Sequence, residues 1–172
     1  MTTPIPVVAF LGPSGSGKTT LMEKVIAALA GDGIRVAAVK HHSHAGFEID
    51  RPGKDSWRFA RAGSRQVVIA APDRFATYRQ LERELTLGEI AADITGVDII
   101  LVEGYRQAEV PHIEVMRAAQ HREFVGNPAW RIAVVSDLPL DVDVPRLDLD
   151  DVRGVVDLIR QRCLRGGAPP PG

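Results

Sequence analysis

Apolar residues fall in short dense blocks along this chain, separated by polar and glycine-rich stretches. Residues 5–11 form the first block and read as a strand. In residues 18–30, Leu21, Val25, Ile26 and Leu29 recur at helical spacing, with Gly31 or Gly33 as a stop. The alternation continues. Residues 35–40 predict a second strand, 55–62 a short helix closed by Gly63, and 66–71 a buried-type strand stopped by Pro72. Residues 81–94 read as a helix broken near 86–88, 97–102 as a very apolar strand, and 113–116 as a shorter one. Residues 131–135 read as another apolar strand and 151–164 as the last helix, preceded by Asp148, Asp150 and Asp151, where the helix dipole favours acids. Residues 41–53 are polar and irregular, with Phe47, Glu48 and Ile49 as a candidate short strand. Residues 165–172, rich in glycine and proline, predict a disordered tail.

Apolar strands alternating with helices predict an α/β fold in three layers, a mostly parallel sheet with helices on both faces. Residues 105–116 fit that pattern or, alternatively, an antiparallel hairpin arm. The length predicts one domain over residues 1–164 followed by the tail.

The first helix is entered through Gly12-Pro13-Ser14-Gly15-Ser16-Gly17-Lys18-Thr19. Strand, glycine-rich loop and helix in that order are the context in which this spacing binds phosphates, the P-loop. Glycines let successive backbone N–H groups point inward, and the helix N-terminus adds unpaired N–H groups and partial positive charge. Lys18 supplies a point charge for the β- and γ-phosphates and Thr19 a hydroxyl for Mg²⁺. The candidate nucleotide-binding set is Gly12, Ser14, Gly15, Ser16, Gly17, Lys18, Thr19 and Thr20.

Composition adds bounds. The chain is 45% hydrophobic and 25% charged, with a net charge of −1, so no global field recruits nucleic acid or an anionic membrane. The lone Cys163 excludes an intrachain disulfide and a cysteine-rich metal site. No apolar stretch approaches membrane-spanning length, and the N-terminus lacks the basic region of a secretory signal. The expectation is a soluble cytoplasmic protein.

Other candidates lie where strands end. Glu103 closes the apolar run from Val97 and would stand beside the phosphate loop at the sheet's carboxyl edge. A glutamate there suits contact with Mg²⁺ through water, or orientation of an attacking water. His41, His42 and His44 follow the second strand; phosphate or pterin recognition, a subunit contact and a polar loop are all open for them. Asp50 and Asp55 are further candidates for Mg²⁺ or water, and Asp55 is equally a helix N-cap. Lys54, Arg58 and Arg61 form either a basic surface for a phosphorylated ligand or partner, or a solvated face. Asp137, after a late strand, is either a reader of guanine N1–H and the 2-amino group or a turn aspartate before Pro139.

Taken in order, the stretches 12–21, 39–44, 47–50, 52–56, Ala62 with Gly63, 101–105 and 113–115 resemble the molybdopterin-guanine dinucleotide biosynthesis adaptor family, MobB. The resemblance covers about residues 5–137 and is carried by the histidine-rich stretch running into Phe47-Glu48-Ile49-Asp50 and Pro52-Gly53-Lys54-Asp55-Ser56. It implies a homodimeric P-loop GTP-binding protein with weak GTPase activity. It also implies that the chain assists MobA, the guanylyltransferase that joins GMP to molybdopterin. By position, Lys18, Glu103 and Asp50 become the catalytic candidates, and Thr19, Glu103 and Asp50 the Mg²⁺ ligands. The histidines, Lys54, Arg58 and Arg61 become the ligand or partner surface, and the arm at 105–116 a candidate dimer element. The main rival is a small-metabolite kinase, with Arg74, Arg79 and Arg83 as lid arginines; a third reading is an interaction module that binds nucleotide without hydrolysing it.

Overall fold

The computed structural model describes residues 4–42, 46, 48–119 and 123–164. These divide into two compact units, residues 42–86 forming one and the flanking segments the other.

In the larger unit the described residues form a six-stranded parallel sheet in the order β2-β5-β1-β6-β7-β8. The strands are β1 (Val7–Leu11), β2 (Val36–Lys40), β5 (Ile99–Glu103), β6 (His112–Met116), β7 (Arg131–Ser136) and the short β8 (Arg146–Leu147). The period-2 geometry of a strand sends alternate side chains to opposite faces. Val8, Phe10, Ile99, Leu101, Ile113 and Val115 therefore join Leu21, Val25 and Leu29 of α1 (Lys18–Gly31) and Val155, Val156 and Ile159 of α4 (Val152–Ile159). Ala9, Leu11, Ile100 and Val102 face the other way, onto Leu87 and Ala91 of α3 (Leu87–Asp93) and Ile94 just beyond it. Helices thus cover both faces, as the alternation of blocks predicts. The N-cap of α4 is Asp151, whose Oδ1 accepts from the Gly154 amide at 2.9 Å, and the helix continues as a π-helical turn over Arg160–Leu164.

The smaller unit holds α2 (Asp55–Arg61) and an antiparallel pair, β3 (Gln66–Ala70) and β4 (Phe75–Arg79), joined by a turn in which the Ala71 amide donates to the Arg74 carbonyl at 2.8 Å. The sequence reading needs correction at several points. Residues 66–71 do not form a buried strand: within β3 only Val67 is buried, because one short helix and two strands cannot enclose a core. The predicted helix over 81–94 exists only from Leu87, and β4 stands just before it, where no strand is predicted. The antiparallel arm is β3–β4, whereas residues 112–116 form a central strand parallel to both β1 and β7, so residues 105–116 are no hairpin dimer element. Glu48 and Ile49 lie outside any strand. Phe47, of the same candidate strand, and the predicted tail at 165–172 lie outside the described residues.

Candidate functional site

The glycine-rich loop leaves the central strand β1 at Gly12, and its glycines take backbone conformations that side chains resist: φ is +141° at Gly12, +76° at Gly15 and +95° at Gly17. A Cβ at Gly12 would run into the Val115 carbonyl of neighbouring β6 and stand 3.0 Å from Ser16 Oγ. Gly17, left-handed, is the N-cap of α1 and supplies no side-chain cap, so the first-turn amides keep their donors for another acceptor. Ser16 is fully buried, and its Oγ meets no hydrogen-bond partner among the described residues. Pro13 lacks an amide donor, but its carbonyl is used: it accepts from Lys18 Nζ at 2.6 Å and from the Ser16 amide at 3.3 Å. Ser14, Gly15, Thr19 and Thr20 are exposed along the open side.

Glu103 arrives beside this loop because β5 pairs in register with β1, Glu103 opposite Phe10, and with β2, Glu103 opposite Lys40. Thr19 Oγ1 donates to Glu103 Oε2 at 2.8 Å, and Lys40 Nζ donates to Oε1 at 3.2 Å. Burial pushes the Lys18 ammonium below the usual lysine range; Glu103 acts against that shift, and the nearby cations Arg106 and Lys40 add to it. Strand β5 ends in a sharp turn, with Gly104 at φ +99° and Tyr105 at +57°. A Cβ on Gly104 would stand 2.8 Å from the Cβ of His41, whose ring lies 4.4 Å from that of Tyr105. The donor set suits a nucleotide with Mg²⁺: a loop of left-handed glycines with no room for a Cβ at Gly12, a buried hydroxyl at Ser16 with no partner among the described residues, and hard oxygen donors from Thr19 and Glu103.

On the other flank of β1, β6 carries a buried polar network. Glu114, 1% exposed, accepts from the Val125 amide at 2.5 Å, the Gly126 amide at 2.9 Å and Arg131 Nε at 2.6 Å. Arg131 also lies over the Phe124 ring at 3.8 Å. His112, on the same strand, has its pKa lowered chiefly by burial, and a Cβ on Gly126 would collide with its Nε2. Asp137 follows β7, and its Oδ1 accepts from the Ala118 amide at 2.8 Å, holding the start of the β6–β7 loop.

The remaining candidates belong to the smaller unit. Asp50 accepts from the Arg51 amide at 2.8 Å and the Tyr78 hydroxyl at 3.1 Å. Hydrogen bonding, with Ser56 as the largest contributor, holds its carboxyl below the usual range. Asp55 is not the N-cap of α2. That position is Lys54, while Asp55 opens the first turn, 3.7 Å from Arg58. Arg61 sits 5.2 Å from the Trp57 ring centre and 4.0 Å from Glu48, so local acids accompany both exposed arginines. His42 is exposed, and His44 lies outside the described residues.

The structure brings Lys18, Thr19 and Glu103 to one edge, while sequence reasoning does not single out Lys40 as a partner of Glu103, nor Arg106 or Arg117. Each follows or ends a strand at the carboxyl edge, and that position is the signal that could have found them.

The sequence model described as "Molybdopterin guanine dinucleotide synthesis protein B" (MobB) matches residues 7–137. A molybdopterin-guanine dinucleotide biosynthesis adapter protein of Escherichia coli (strain K12) is 42% identical over 163 residues, covering 91% of this chain and 93% of that one. Its counterpart in Haemophilus influenzae is 37% identical over 161 residues, covering 92% and 90%. Among solved structures, Bacillus subtilis MobB superposes with a TM-score of 0.75 at 23% identity, over 94% of this chain and 99% of that one, a likeness of fold. From the family match and these identities, this chain belongs to the MobB family.

Proposed function

We propose that the chain is a GTP-binding adaptor of molybdenum cofactor biosynthesis. On this reading it assists a MobA-type guanylyltransferase that attaches GMP to molybdopterin, acts in the cytoplasm as a homodimer, and hydrolyses GTP slowly with Mg²⁺. The observation that carries it is the cradle of residues 12–19 with Glu103 Oε2 at 2.8 Å from Thr19, in a chain whose relatives are named adapter proteins.

The loop amides and Lys18 bind the phosphates, and Thr19 with Glu103 would hold Mg²⁺. When bound, that ion neutralises phosphate charge and orients its oxygens. Asp50 is the second candidate acid. Asp137 keeps Oδ2 for guanine while Oδ1 takes the Ala118 amide. The His41–Tyr105 ring pair offers a flat surface for a pterin, and His42, His44, Lys54, Arg58 and Arg61 are assigned to ligand or partner. Slow turnover is supported by Glu103, whose two oxygens already face donors from Thr19 and Lys40, a poor arrangement for a free general base. The kinase reading loses support, because Arg74 and Arg79 belong to the β3–β4 turn and strand rather than to a lid helix.

Titrating GTP, ATP and molybdopterin against the protein with and without Mg²⁺ tests this. Expected are a preference for GTP, loss of binding in Lys18→Ala, and turnover far below about 10 s⁻¹ that rises with the guanylyltransferase. Metabolite-dependent ADP formation would establish the kinase instead, and binding without any hydrolysis would leave the interaction module.

A further inference from the structure

Arg117 is the first residue after β6, on the flank of β1 opposite β5 and Glu103. Its Nε and Nη2 both stand 3.5 Å from the place a Cβ would occupy on Gly17, with Cζ at 3.8 Å. The guanidinium thus turns the edge that can fork onto two oxygens toward the last glycine of the loop, at the N-cap of α1. Arg117 is exposed and makes no ion pair with any carboxylate of the described residues, unlike Arg131 one strand away, which is locked onto Glu114. Its backbone is nevertheless fixed on both sides. Met116 pairs with Ser136, and the Ala118 amide is held by Asp137 at 2.8 Å. Lys18, Lys40, Arg106 and Arg117 gather at this edge, where Glu103 is the acid that acts on Lys18, and the buried Ser16 hydroxyl has no hydrogen-bond partner among the described residues. A guanidinium on a fixed backbone, turned toward the loop and without a carboxylate partner among the described residues, is placed to meet an anion.

We propose that Arg117 binds the phosphate chain of the nucleotide from the β6 flank, forking its Nε/Nη2 edge onto non-bridging oxygens, with Asp137 as the residue that positions it through Ala118. The inference rests on the nucleotide reading of the loop. Glu103 and Thr19 serve the metal from the β5 side; Arg117 serves the phosphates independently of it. Its effect falls on nucleotide affinity rather than on the Mg²⁺ requirement.

The experiment compares wild type, Arg117→Ala, Arg117→Lys, Glu103→Gln and Lys18→Ala by calorimetric titration of GTP and GDP across a Mg²⁺ series, with thermal unfolding as a check on folding. Arg117→Ala is expected to fold normally and to weaken GTP about 10- to 100-fold, the scale of a charge-assisted bidentate contact. Its Mg²⁺ dependence should match wild type, while that of Glu103→Gln shifts. Arg117→Lys should recover part of the affinity, because it keeps the charge and loses the fork. If Arg117→Ala binds GTP as wild type does while Lys18→Ala does not, the Arg117 assignment is overturned and the nucleotide reading stands. If wild type itself binds neither GTP nor GDP, both fall together.

Discussion

The two units of this chain use similar apolar residues to opposite ends. In the larger one, Ile99, Ile100, Leu101 and Val102 of β5 are all fully buried, because helices cover both faces of the sheet. In the smaller one, Val68 is 52% exposed, Phe75 71% and Phe59, on α2, 61%. The larger unit completes its own core, and its carboxyl edge becomes a fixed platform on which Gly12, Lys18, Glu103 and Arg117 hold their places. The smaller unit is a two-stranded ribbon and a two-turn helix, too little to bury its own side chains, and a surface of that kind is a place for association. A closed core and an exposed apolar surface are thus divided between them.

Removing a buried charge partner should break that contrast most severely. Glu114→Ala leaves Arg131, 11% exposed, without its carboxylate and strips the acceptor from the Val125 and Gly126 amides. A loss of about 3–5 kcal/mol is expected in denaturant unfolding. The same change at Glu82 in the smaller unit, whose 2.8 Å pair with Arg65 is exposed, should leave the midpoint unmoved. Equal losses at the two positions would contradict the division between a closed core and an open ribbon.

The second test addresses association. If the proposed homodimer exists and forms through the ribbon, Phe75→Asp on β4 puts a charge into its apolar surface while disturbing no core, since Phe75 has none to leave. The expected outcome is an unchanged unfolding midpoint for the protomer and a dimer weakened at least about tenfold, read by sedimentation across a concentration series. A dimer of undiminished strength would move the interface off the ribbon.

The contrast also explains what the sequence could disclose. Strands β1, β5 and β7 are buried on both faces, so their residues are apolar without interruption and read as strands directly. Strand β6 is just as buried, yet His112 and Glu114 interrupt its pattern, and whether it pairs parallel or antiparallel is decided by β1 and β7, not by its own residues. Strand β4 carries no burial pattern because it buries almost nothing. Leu81 and Leu85, spaced as on a helix, lie outside any helix. In the site, Lys18 and Thr19 were legible because a loop and helix of fixed geometry carry them. Arg117 was not, since its approach to Gly17 depends on β6 lying beside β1, about a hundred residues further along. The partner of Asp50 was hidden for a similar reason: Tyr78 reaches it from β4, a strand the pattern does not reveal.

The smallest expected effect concerns acid stability and separates two carboxylates, Asp98 and Asp50. Asp98 precedes β5, at the end away from Glu103, and receives Arg35 Nη2 at 2.6 Å, Nε at 3.0 Å and the Arg35 amide at 2.8 Å. Those hydrogen bonds from Arg35 lower its pKa from 3.8 to about 2. A depressed carboxyl pKa contributes stability that is fully present above the unfolded value and is lost as pH falls through the folded one. Asp98→Asn should therefore unfold at a lower denaturant concentration than wild type at pH 6, with the difference shrinking between about pH 4 and pH 2. GTP affinity should not change, because the pair ties β2 to β5 at the amino edge of the sheet, away from the phosphate loop. Asp50→Asn shares the direction of the pH effect, since hydrogen bonding also depresses that carboxyl. The two variants part company in Mg²⁺-dependent GTP binding. A change there in Asp50→Asn alone would mark Asp50 as a working acid, and no change in either would reduce it to a carboxylate that fastens the ribbon through Tyr78.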